Sequence, residues 1–127
     1  MTEIHILVLY GLLVIVTLLL QATGSMTQLG MGYLLGSRDE TRTVSGIAGR
    51  LERALNNSVT AMVLFAPAVL LIVATDNATN QTLLAAQAFL VARVIYLPAY
   101  AFGITGLRSL AWMVGLLSTA LLYFLAL

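Results

Sequence analysis

Between Ile4 and Ala22 the chain runs without a single Asp, Glu, Lys or Arg, and further apolar stretches of comparable length follow. About 20 consecutive apolar residues in helical conformation cross a hydrocarbon core. Water tolerates such segments only inside a large protein. A chain of 127 residues that is 61% hydrophobic and 9% charged has too little interior to hide them. In lipid the constraint moves to the backbone, whose polar groups must all be bonded within the protein, so only helices or a closed barrel survive. A barrel would alternate polar and apolar residues over segments of about ten. These runs are continuous, which predicts an all-α membrane protein: a four-transmembrane-helix bundle forming a single integral membrane domain over residues 1–127.

The spans are expected at Ile4–Ala22, Gly46–Thr75, Gln81–Phe102 and Leu107–Leu127. The first is read as a retained helix rather than a signal peptide. Glu3 replaces the basic n-region, and no small-residue cleavage pattern follows. A polar connection is expected from Gly24 to Ser45, and Pro67 is a candidate kink in the second span. A short polar link, Asp76 to Gln81, and a turn from Gly103 to Gly106 join the remaining spans.

All 6 basic residues are Arg, and Arg38, Arg42, Arg50, Arg53 and Arg108 lie in or beside the first and third connections. The positive-inside rule then places those connections in the cytoplasm and both termini on the other side. The net charge of +1 offers no basic field for nucleic acid. With no cysteine and a single histidine, His5, at the opposite end from the Arg residues, no metal site is expected. Asn77-Ala-Thr79 and Asn80-Gln-Thr82 match glycosylation sequons, which matter only in a secretory membrane of a eukaryote; the style of the sequence is bacterial.

Arg93 stands inside the third span. Placing Arg at a helix centre costs about 2.5–3.5 kcal/mol on insertion scales. A carboxylate, a bound anion or snorkelling to the interface must offset that cost. At 100° per residue, Arg93, Tyr96 and Tyr100 share an arc of ~60°. On the second span Arg53 and Asn57 are i, i+4 neighbours, with Arg50 a turn before and Thr60 a turn after. Interface anchoring accounts for Arg38, Arg42 and Arg50, and Glu52 could neutralise one Arg. It accounts less well for Arg93 and the two tyrosines. Cationic donors, phenols and an amide with one carboxylate nearby suit a polyanionic ligand entering from the cytoplasm.

The segment Arg50-Leu-Glu-Arg53-Ala-Leu-Asn-Asn57 resembles the R-A-x-x-N signature of the membrane-associated proteins in eicosanoid and glutathione metabolism, the MAPEG family. Ala92-Arg93-Val-Ile-Tyr96-Leu-Pro-Ala-Tyr100 resembles that family's A-R-x-x-Y-x-x-x-Y segment. Gly103 to Trp112 is similar to the turn and fourth helix of its bacterial members. The resemblance implies a MAPEG-like, trimeric bundle in the bacterial inner membrane, with glutathione as co-substrate between subunits at the cytoplasmic side. It implies glutathione contacts from Arg53, Asn57, Thr60, Arg93, Tyr96 and Tyr100, with Arg108 stabilising the thiolate. The activity implied is transfer to, or peroxide reduction of, lipophilic substrates from the bilayer. The family pattern usually carries Glu three residues after the Asn, where this chain has Thr60, and a polar residue in some members where this chain has Leu55. The alternative is the family's other role, a non-catalytic lipid-binding or structural membrane subunit of the same fold. A channel or transporter is not expected, because there is no inverted repeat and no pair of broken helices.

Overall fold

A computed structural model describes residues 1–127. It contains helices and loops only: α1 (Glu3–Leu29), α2 (Met31–Leu35), α3 (Gly46–Ala74), α4 (Asn80–Ala101) and α5 (Thr105–Leu125). Four of them, α1, α3, α4 and α5, are long and apolar enough to cross a membrane. Leu19, Val63, Leu84 and Leu117 are among many large apolar side chains left exposed along these helices. That surface is ruinous in water and ordinary in a bilayer.

The four long helices pack as a bundle in which α1 lies chiefly on α3 and α4 chiefly on α5. Cross-contacts join α3 to α4, α1 to α4 and α3 to α5, while α1 and α5 do not come together. Helices α3 and α4 thus form the short diagonal, and α1 and α5 occupy open corners.

The expected Ile4–Ala22 span is part of a longer helix, and the polar connection from Gly24 begins as helix. Helix α1 continues to Leu29, and α2 follows after a break at Gly30, where φ is +86°. Helix continues through this polar stretch because α3 supports it. A Cβ added at Gly24 would lie 2.9 Å from the Ala48 Cβ, so the two backbones meet where only glycine fits. One turn later the Gln28 amide donates to the Ser45 carbonyl at 3.0 Å and accepts from the Ser45 N–H at 2.9 Å. Pro67 lies inside α3 without ending it.

At the other end of the bundle Thr2 and His5 form a capping box for α1, and Thr79 and Thr82 form one for α4. The Thr82 hydroxyl donates to the buried Glu3 carboxyl at 2.6 Å, tying the starts of α1 and α4 together. Above this tie sits the main apolar core, which includes Ile6, Tyr10, Phe65, Ile72, Phe89 and Leu122.

Candidate functional site

The site begins where the apolar core stops. On α3 the inward stripe reads Leu51, Ala54, Ser58 and Phe65, all buried. One member of that stripe is polar, and it faces Arg93 on α4. Arg93 is 3% exposed, so it does not snorkel. Its Nη1 donates to Asn57 Oδ1 at 2.9 Å and its Nη2 to Ser58 Oγ at 2.9 Å. Its Nε has no partner. From Arg93 to the end of α4 at Ala101 the helix rises about 12 Å, which sets the guanidinium well below the membrane boundary.

None of the partners of Arg93 carries a negative charge. The one ion pair in the chain joins Arg42 to Glu40 in the first connection. Glu52, expected as a neutralising partner, is exposed and faces a different cleft with Arg38 and Arg42. The cation is held instead by an amide, a hydroxyl and a ring: the Arg93 Cζ lies 4.0 Å from the Tyr96 ring centroid. Cation–π contacts of this kind are stronger when desolvated.

The arrangement repeats along α4 toward α5. The Tyr96 and Tyr100 rings are 5.6 Å apart, tilted by 55°, and the Arg108 Cζ lies 4.8 Å over the Tyr100 ring. Cation, ring, ring and cation form a ladder from the buried Arg93 to the half-buried Arg108. Tyr96, Tyr100, Arg108 and Trp112 line a cavity of about 410 Å³. A second cavity of about 170 Å³ lies beside Arg93 and is lined by Asn57, Thr60, Phe89, Trp112 and Thr119 among others. Trp112 belongs to both walls. The Arg93 side chain passes over Gly115, where an added Cβ would make ordinary contact with the Arg93 Cδ at 3.6 Å.

The expected site residues therefore divide. The structure brings Asn57, Thr60, Arg93, Tyr96, Tyr100 and Arg108 to two adjoining cavities. Arg53 is exposed, forms no side-chain hydrogen bond and has its Nη1 beside Gly49, away from Arg93. The Thr60 hydroxyl is committed to its own helix, donating to the Asn56 carbonyl at 3.0 Å. Arg50 is more than an anchor. It donates to the Ala101 carbonyl at 3.4 Å and lies against Gly103, capping the negative end of α4.

Two residues were not anticipated. Ser58 is masked in the sequence by the more conspicuous Asn57, although a lone hydroxyl on an apolar stripe is a detectable signal. Tyr10 gives no such signal within the first span, yet its hydroxyl donates to the Ser58 carbonyl at 2.8 Å. Its phenol carries the network onto a third helix. No group of His, Cys, Asp or Glu side chains is close enough to hold a metal ion.

The family model described as the MAPEG family matches residues 5–127, nearly the whole chain. No curated protein and no solved structure matches it. The matched region takes in all four membrane-spanning helices and every residue of the Arg93 network, so the chain belongs to the MAPEG family.

Proposed function

We propose that the protein is a glutathione-dependent transferase or peroxidase acting on lipophilic substrates, working as a homotrimer in the bacterial inner membrane with both termini away from the cytoplasm. The carrying observation is the uncompensated guanidinium of Arg93, buried beside a cavity with its Nε unpartnered. A buried cation without a counter-charge is costly unless an anion reaches it. The carboxylates of glutathione are such anions, and Asn57, Tyr96 and Tyr100 add polar contacts on the same side. Arg108 stands at the outer end of the ladder, where a guanidinium favours a thiolate over a thiol. Trp112, shared by both cavities, offers an apolar surface for a substrate drawn from the bilayer.

Thr60 supports a second reading. Its hydroxyl is spent on a backbone carbonyl, and no carboxylate lines either cavity, so nothing there balances the amino group of glutathione. A non-catalytic lipid-binding subunit needs no such balance. Calorimetric titration of the purified protein with glutathione separates the two. Saturable binding in the millimolar range or tighter, lost in Arg93→Ala, is the expected result. Absence of binding removes the enzyme reading, and binding without conjugation of a model aryl halide removes the transferase. Thr60→Glu is expected to tighten glutathione binding by about tenfold, the worth of one charge-assisted hydrogen bond.

A further inference from the structure

A separate cleft of about 340 Å³ lies between the last turns of α1, the α2 segment, the loop after it and Glu52 on α3. Leu18, Ala22 and Leu29 of α1 form its apolar wall beside the mutually bonded Gln21 and Ser25, and Tyr33, Arg38 and Arg42 stand at its rim. From Leu18 to Leu29 the helix rises about 16 Å. If Glu3 marks one membrane boundary, a core of ~30 Å places the other near Thr23. The cleft therefore straddles that boundary, with Leu18 and Ala22 within the hydrocarbon and the charged rim at headgroup depth.

The rim has one cation without a counter-charge, Arg38, and one that is paired. Arg42 Nη2 pairs with Glu40 at 3.1 Å, and the Arg42 guanidinium stacks 4.6 Å over the Tyr33 ring. Arg38 donates from Nε and Nη2 to the Leu34 carbonyl at 3.2 and 3.0 Å. A guanidinium has five N–H donors, so both residues keep some free for an anion. Glu52 has no cation within ion-pairing distance. Donors for an anion, an acceptor for a cation and an apolar wall thus meet in one cleft aligned with the membrane normal.

We propose that this cleft binds an aminophospholipid of the adjacent leaflet, its phosphate on Arg38 and Arg42, its ammonium on Glu52 and an acyl chain along Leu18 and Ala22. A purely anionic headgroup leaves Glu52 facing negative charge. A choline headgroup has no N–H to give it. A soluble zwitterion leaves the apolar wall uncovered.

The test is native mass spectrometry of the full chain in detergent, exposed to equimolar phosphatidylethanolamine, phosphatidylcholine and phosphatidylglycerol with identical acyl chains. Phosphatidylethanolamine is expected to be retained roughly tenfold over the others, the size of one charge-assisted hydrogen bond. Glu52→Gln should erase that preference. Ala22→Trp, which fills the wall and leaves the rim intact, should reduce retention of all three. Glu52 is exposed and the change to Gln is isosteric, so this arm reads even if Ala22→Trp does not fold. Equal retention of the three lipids, or a preference that survives Glu52→Gln, overturns the proposal. Displacement of the lipid by millimolar phosphoethanolamine identifies a soluble ligand and overturns the lipid assignment.

Discussion

Phe65 and Phe89 stack in parallel at 3.8 Å in the half of the bundle nearer the termini. One turn further along α4, Arg93 is surrounded by an amide, a hydroxyl and a phenol ring. The first region is apolar filling. The second has a buried cation, an orphaned donor and two cavities. Lipid tails are as apolar as Leu, so the aromatic half holds together by close packing rather than by expulsion from water. The polar half is satisfied only in part, and an ionisable residue at that depth is costly to keep in a membrane helix. Tyr10 belongs to both: its ring lies 4.8 Å from Phe89 and its hydroxyl bonds the Ser58 carbonyl.

The sharpest way to break this comparison is to damage the packed half. Phe89→Ala removes a fully stacked ring and should lower stability by about 3 kcal/mol. Thermal or detergent-titrated unfolding followed by circular dichroism measures this, and a loss below that of any polar-half variant would reverse the assignment of the two halves. Next comes Ser58→Ala, which strands the Arg93 Nη2 and should cost about 2 kcal/mol. Its counterpart is Arg93→Met, which removes the cation itself. Its removal sheds the cost of an uncompensated buried charge but leaves Asn57 Oδ1 and Ser58 Oγ without their donor. The two effects oppose each other, so the same unfolding assay should show a smaller loss for Arg93→Met than for Ser58→Ala, while glutathione binding disappears. If Arg93→Met proves more damaging than Ser58→Ala, the guanidinium is a structural pillar and not a ligand group. Tyr10→Phe keeps the ring and deletes one hydrogen bond, for about 1 kcal/mol. Thr60→Val should move stability by less than about 0.5 kcal/mol, because its hydroxyl only back-bonds within α3.

The spans were legible because length and hydropathy leave a bilayer-crossing helix few alternatives. The last turns of α1 were not. Thr23, Gly24, Ser25 and Thr27 are poor helix formers, and what keeps them helical is contact with α3 at Ala48 and Ser45, a tertiary effect invisible in the local sequence. In the site, periodicity alone grouped Arg93, Tyr96 and Tyr100, and the structure lays them side by side. It misjudged Arg53. That residue shares a helix face with Asn57 but sits one turn nearer the boundary, where a long side chain turns outward. Ser58 was hidden by its neighbour, and the partnership with Tyr10 spans 48 positions. No periodicity rule reaches that far.

The meeting of Gly24 and Ala48 has a mechanical meaning. Two helices in backbone contact at one point can rock about it, and their overhanging ends then act as short levers. Here the overhang is tied one turn beyond the pivot by the paired bonds of Gln28 with Ser45. A tie beside the pivot opposes that rocking. The connection from Gly30 to Val44 thereby leaves from and returns to helix ends that are fastened to each other.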